Sequence, residues 1–310
     1  MDYGGKHDDN KLTTGVIMSF ISYFIDGIRL GSVYSIIALG YTMVYGIAKM
    51  LNFAHGDVIM VGGFVIFTVM STWGLSPVFA VLLAIILCTV LGVSIERIAY
   101  RPLRKAPSLA VLITAIGVSY LLQNLALIIF GANTKSFTSV ISVPSLKLAG
   151  GKLSISGETL VTIISCIVLM IALTLFVKRS KTGRAMIAVS EDKDAAVLMG
   201  VNVNKTIAIT FAIGSALAAI ASVLQFSSIP SISSTSGAMP GIKAFVAAVF
   251  GGIGSIPGAM IGGILLGIIE ILGRRYISME LSDAIVFLIL IIVLLVKPTG
   301  ILGKKHHEKV

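Results

Sequence analysis

An amide, an imidazole and a carboxylate crowd together at Asn52, His55 and Asp57 in the stretch NFAHGD. At membrane depth such a trio invites a proton-relay or translocation-path reading, because polar groups there are costly and are functional candidates by default. At a helix boundary the same residues would cap backbone N–H groups and meet water. Two acid–base pairs have helical spacing: Asp26 with Arg29, three apart, and Glu270 with Arg274, four apart with the acid first. Each spacing puts both groups on one helix face, as an internal neutralising pair or as a carboxylate for a coupling ion. Lys243 follows MPGI and is expected to snorkel to the membrane interface.

The polar stretch GRAMIAVSEDKDAAVLMGVNVNK, 183–205, is of another kind. Ser190 ahead of Glu191 and Asp192 reads as an N-cap with acids in the first turn, and Gly200 suits a C-cap. The spacing predicts a helix over about 190–199, too short to persist alone in water. Ala195, Ala196, Leu198 and Met199 give it a small and apolar surface. That surface fits a partner's groove or a helix lying on the membrane face.

The sequence contains no Walker A pattern, no His-Glu-x-x-His and no Gly-x-Ser-x-Gly. The chain is therefore expected to be no enzyme, with no catalytic, metal or cofactor residues of its own. Cys88 and Cys166 sit in apolar runs and read as buried packing thiols.

The elements that hold these residues follow from composition. The 310 residues are 56% hydrophobic and 12% charged, with a mean hydropathy of +1.01. A crossing takes about 17–25 apolar residues, and 78–95, 108–130, 159–177 and 206–226 meet that. Shorter or broken runs lie at 15–47, 57–72, 241–273 and 281–296. The fold class is an all-α polytopic integral membrane protein of about eight transmembrane helices, eight to ten. Broken helices are expected near 15–47, around Asp26, Gly27, Arg29 and Gly31, and near 241–273, around FGGIGSIPGAMIGG. Continuous apolar runs exclude an outer-membrane barrel.

The net charge of +10 is gathered at 97–105, at 178–205 and beyond 297. These clusters flank apolar spans, so the excess marks cytoplasmic segments and not a nucleic-acid surface. The segments 131–157 and 227–241 are then external, and Arg274 and Arg275 also fall outside if three short crossings follow residue 240. The polar segment 1–11 lacks the build of a signal peptide. A single membrane domain spans 12–303, followed by a basic tail at 304–310. LNFAHGDVIMVGGFV and GGIGSIPGAMIGGIL share a polar turn followed by an apolar run with Gly-Gly, a faint internal repeat.

Five segments in order carry a resemblance: GSVYSIIALGYTMVYGIAKMLNFAHGDVIMVGGF (31–64), RPLRKAPSLAVLITAIGVSYLLQN (101–124), KTGRAMIAVSEDKDAAVLMGVNV (181–203), FGGIGSIPGAMIGGILLGIIE (250–270) and KPTGILGK (297–304). From about residue 20 to 303 the chain resembles permease subunits of ATP-driven branched-chain amino acid importers, in the first of their two permease types, the LivH type. The resemblance implies a bacterial or archaeal inner-membrane location. It also implies a second permease of the LivM type, two ATP-binding subunits that hold the ATP, an external solute-binding protein, and an amino acid cargo. It makes 184–200 a coupling helix, with Arg184, Glu191, Asp192, Ala195, Ala196 and Gly200 at the matching positions. Asn52, His55, Gly251, Gly252 and Gly254 become candidates for the translocation path. Without the resemblance, an ion-coupled secondary transporter using Asp26 or Glu270 is the rival reading.

Overall fold

A computed structural model describes residues 5–104, 106–148 and 153–303. Residues 1–4, Lys105, 149–152 of the expected external segment and the basic tail 304–310 lie outside the described residues. The apolar runs become helices because a lipid-covered backbone has to satisfy its own N–H and C=O groups. Eleven α-helices follow: α1 (Gly5–Ala48), α2 (His55–Phe67), α3 (Pro77–Ile95), α4 (Ser108–Phe130), α5 (Gly157–Arg179), α6 (Lys181–Glu191), α7 (Lys193–Leu198), α8 (Val203–Ser228), α9 (Ala238–Gly251), α10 (Ile256–Tyr276) and α11 (Ser282–Val296). Wider π turns extend α2 over Thr68–Thr72 and α3 over Glu96–Tyr100. Four short strands pair as β1 (Lys135–Ser136) with β4 (Ser231–Ile232) and β2 (Leu146–Leu148) with β3 (Leu153–Ile155), both antiparallel. Among the described residues seven helical segments are long and apolar enough to cross a membrane, and α9 and α11 are shorter apolar helices. The architecture is the expected polytopic all-α one.

One expected break does not occur. Residues 15–47 lie within the single continuous helix α1, which already begins at Gly5, inside the segment expected to be a polar tail. Gly27 and Gly31 do not interrupt it. They let α10 come to backbone contact: Gly27 lies against Ile268, and Gly31 against Gly263, Ile264 and Gly267. Close approach of small residues is how helices associate in lipid, and the Ser35 hydroxyl adds bonds to Gly31 O at 2.7 Å and Met260 O at 2.8 Å. Arg29 reaches across to Ser228 Oγ at 2.6 Å instead of pairing with Asp26. The second break is real. α9 and α10 are separated at Gly252–Ser255, where Gly252 (φ +104°) and Gly254 (φ +94°) take backbone conformations that favour glycine. Ser255 caps α10 and Pro257 sits in its first turn. Both halves of the faint repeat are thus turns that open a helix.

The basic segments gather on one face. Arg104 bonds Glu96 and Asn204, Lys193 reaches the C-terminal end of α1, and Gly46 meets Gly254. Ile301 and Leu302 donate backbone N–H groups to Phe250 O and Gly251 O, both at 2.9 Å. The β1–β4 pair, the Ser139–Ser227 and Ser139–Glu158 bonds and the Arg29–Ser228 bond mark the opposite face. The 227–241 segment is not a plain exposed loop. Ile232 is buried near Gly63, and Gly237 is buried against Gly56, seven residues nearer the start of α2. The segment therefore dips inward along α2, and α9 starts from that depth. Of the three helices after residue 237, α10 is long and apolar enough to cross a membrane, and α9 and α11 are shorter apolar helices on either side of it.

Candidate functional site

The polar patch folds as a two-helix corner on the basic face. Ser180 ends α5 and caps α6, its hydroxyl accepting from the Gly183 N–H at 2.8 Å. α6 buries Gly183, Met186 and Val189 and exposes Arg184 and Glu191. The cap expected at Ser190 lies two residues later. Ser190 sits inside α6, its hydroxyl donating to the Ile187 carbonyl. Asp192 leaves helical geometry and caps α7, accepting from the N–H groups of Asp194 and Ala195, both at 2.9 Å. An Asp in extended conformation satisfies two of the orphan donors that a helix start leaves. The single helix expected over 190–199 is therefore two, and the short one runs from Lys193 to Leu198.

α7 is closed at its far end as well. Gly200 adopts φ +79°, and the N–H groups of Gly200 and Val201 bond the carbonyls of Val197 and Ala196, both at 2.9 Å. Its underside is anchored: Ala196 is buried, and Lys193 Nζ donates to Ala48 O at 3.1 Å. Ala48 is the last residue of α1, and Lys49 beyond it is the described non-glycine residue with positive φ, +58°. A cation at a helix C-terminus meets the negative end of the macrodipole. Desolvation, with help from the Arg104 and Lys49 charges, lowers the Lys193 pKa. The upper side of α7 is open. Leu198 and Met199 are 88% and 84% exposed, with Val197 and Ala195 beside them. α7 is thus a capped, anchored helix of six residues with an exposed apolar tip. Sequence reading missed Lys193, whose only signal was a cation directly behind a capping acid.

The Asn52–His55–Asp57 trio lies in the protein interior. All three are buried and none meets water, contrary to the expected caps. The residue ahead of α2 is Ala54, with no side-chain cap. Asn52 Oδ1 accepts from Tyr100 Oη at 3.0 Å. The His55 ring stands edge-on to Tyr41, centroids 4.8 Å apart, over Gly40, and its Nε2 has no hydrogen-bond partner among the described residues. Asp57 Oδ1 accepts from Gln123 Nε2 at 2.9 Å, which pins α4 to α2. Gly251, Gly252 and Gly254 form the α9–α10 turn, where Gly251 and Gly252 are covered by residues 300–303.

Lys243 does not snorkel. It is 4% exposed, and its ammonium bridges Glu270 Oε1 at 2.7 Å and Asp283 Oδ1 at 2.6 Å. Glu270 also takes Arg274, as its spacing suggested, and the Tyr34 hydroxyl at 2.9 Å. Its hydrogen-bonding capacity is committed to structure. Of the two arginines expected on the far face, Arg274 is paired with Glu270, and Arg275 keeps its charge over the Tyr23 ring at 4.7 Å. Lys243 and Glu270 are the buried pair of a four-charge cluster with balanced signs, while Arg274 and Asp283 stay 36% and 43% exposed, and the buried pair is stable only with both members present. Among the described residues no group of three or more His, Cys, Asp or Glu could hold a metal.

Residues 23–294 match the family described as branched-chain amino acid transport system / permease component. The chain is 44% identical over 301 residues to the high-affinity branched-chain amino acid transport system permease protein LivH of Salmonella typhimurium, covering 94% of this chain and 98% of that one. It is 44% identical over 308 residues to the corresponding protein BraD of Pseudomonas aeruginosa, covering 95% and 99%. A probable LivH of Methanocaldococcus jannaschii is 28% identical and covers 86% of this chain and 88% of its own. With its membrane helices and capped corner, the chain belongs to the family of branched-chain amino acid transport permeases, a multi-pass inner-membrane transport subunit and not an enzyme.

Proposed function

We propose that the chain is the permease subunit of an ATP-driven importer for branched-chain or other hydrophobic amino acids. It works beside a second permease of the LivM type, two ATP-binding subunits and an external solute-binding protein. ATP is held by the partners; this chain needs no cofactor and no nucleic acid. The observation that carries the reading is α7: the open Val197–Met199 tip on a helix fixed by Asp192, Gly200 and Lys193. In this reading α6 and α7 form the coupling element, with Arg184, Glu191 and Ala195 on the docking side and Ala196 beneath. Closure of the ATP-binding subunits displaces α7. The Lys193–Ala48 bond passes that displacement to the end of α1 and so to Asn52 and His55 just beyond it. Alternating access then opens the path to the basic, cytoplasmic face.

The test uses the whole assembly in proteoliposomes with ATP inside and loaded binding protein outside. Ala195→Asp puts a charge on the docking side, and Gly200→Leu strains the positive-φ closure. Both variants are expected to insert normally and to lose uptake while ATP hydrolysis continues unstimulated. Full uptake in both would overturn the coupling role. Uptake by the chain alone on a sodium or proton gradient would overturn the importer reading itself.

A further inference from the structure

Two turns at the basic face open a membrane helix, and they are fastened in different ways. The α9–α10 turn is held by backbone, through the bonds from Ile301 and Leu302 to Phe250 O and Gly251 O. The α1–α2 connection, residues 49–54, is held by side chains of other elements. Its own backbone closes one turn, from the His55 N–H to Asn52 O at 3.1 Å. It begins at Lys49, whose φ of +58° is strained for a residue with a side chain. Such a conformation persists only where the surroundings hold it. Two tethers do so. Lys193 Nζ reaches Ala48 O just ahead of the segment. Further along, the Tyr100 hydroxyl donates to Asn52 Oδ1 at 3.0 Å and lies 3.4 Å from the Leu51 carbonyl. Tyr100 closes the π turn Glu96–Tyr100, a kind of turn frequent at functional sites. Glu96 opens that turn and pairs with Arg104, which also bonds Asn204 in the first turn of α8. Both tethers therefore lead back to the α7–α8 corner.

Behind the segment the packing is aromatic. Phe53 meets Phe245 of α9 with ring centroids 5.4 Å apart, Tyr41 meets the same ring at 5.8 Å, and His55 stands against Tyr41. Tyr41, Tyr45, Met50, Asn52, Phe245 and Ile253 line a crevice beside these rings that is too tight to admit a water molecule. The seam between Phe53 and Phe245 carries no hydrogen bond, so parting it leaves no donor or acceptor unmatched. The backbone-clasped α9–α10 turn has no such freedom. The crevice walls are apolar rings and aliphatic chains with the Asn52 amide among them, which suits a small polar molecule with an apolar side chain.

We infer that residues 49–54 are the inward gate of the permease, a flap whose Asn52–Phe53 edge parts from Phe245 to let a hydrophobic amino acid out. The inference rests on the importer reading above. One displacement of the α7–α8 corner pulls on both tethers and frees the strained segment at both ends. The experiment uses the whole assembly in inside-out membrane vesicles that hold loaded binding protein in the lumen. Phe53→Cys is added to a chain whose own Cys88 and Cys166 are buried. Labelling by a membrane-impermeant maleimide is compared at rest and during turnover with ATP. It should run at least about tenfold faster during turnover, as the open form changes from a minor to a populated state. Equal rates while transport proceeds would overturn the inference and leave the importer reading standing. Absence of ATP-driven transport by the wild-type assembly would sink the importer reading and the inference with it. Met50→Cys, in the same crevice, should repeat the rise, and a constant rate there would count against the gate. Tyr100→Phe keeps the ring and removes one tether. Added to the Phe53→Cys chain, it should raise the resting rate about three- to tenfold, the worth of one hydrogen bond. An unchanged resting rate would also count against the gate.

Discussion

α1 and α4 look alike in sequence, each an apolar run with polar residues and glycine in its middle, and they reach opposite ends of packing. Gly31 of α1 is pressed against the backbone of α10, while Gly117 of α4 faces open space. The polar groups of α1 are met within the chain: Ser35 by Met260, Tyr34 by Glu270, Arg29 by Ser228. Those of α4 reach another helix at Gln123, which holds Asp57, while Asn124 bonds only within its own helix, to the Tyr120 carbonyl. The α1–α10 wall is finished within this chain, and the outer side of α4 has no cover among the described residues. α5 is about as open as α4 but presents Ile164, Ile167, Val168 and Ile171, whereas α4 presents Tyr120 and Asn124 among its apolar residues.

The contrast breaks most visibly at Lys243. Lys243→Met leaves Glu270 and Asp283 short of their shared cation behind α1 and is expected to cost about 3–5 kcal/mol. Lys243→Arg should recover part of that, and thermal unfolding in mild detergent reads both. A fully stable Lys243→Met protein would show that the wall does not depend on the cluster. The next effect compares the two glycines. Gly31→Val should cost about 1–3 kcal/mol through overpacking, and Gly117→Val should leave the isolated chain close to wild type. Equal losses in the same melt would erase the distinction between the two helices. The smallest effect on stability belongs to Lys193→Met, about 1 kcal/mol for one hydrogen bond. Its effect on transport should be larger, uptake per ATP falling while the α7 tip still binds its partner and Lys193→Arg largely restoring it. Unchanged uptake per ATP in Lys193→Met would remove α1 from the transmission route.

Much of this was legible in the sequence, and the misreadings have a common cause. The break at 252–255 could be read because glycine, serine and proline occur there in the order that ends one helix and caps the next. Gly27 and Gly31 carry the same residue type without that order. An interior glycine costs a helix only about 1 kcal/mol, which the approach of α10 offsets. The density of glycine was visible, but the helix that would use it was not. Ser190 and Asp192 are both good caps, and burial of Val189 and Ala196 on either side decided where the corner falls. Lys243 has the stem to snorkel, yet Glu270 and Asp283, distant in sequence, pull it inward. Glu270–Arg274 was recoverable because i,i+4 spacing is local. Tertiary partners such as Ala48 for Lys193 have no local signature.

The backbone bonds from Ile301 and Leu302 to Phe250 and Gly251 also bear on the order of assembly. Residues 300–303 follow the eleven described helices in the chain, so the α9–α10 turn is closed by the last-made part of the described protein. A truncation ahead of Ile301 keeps the described helices and removes the two backbone bonds that latch the turn.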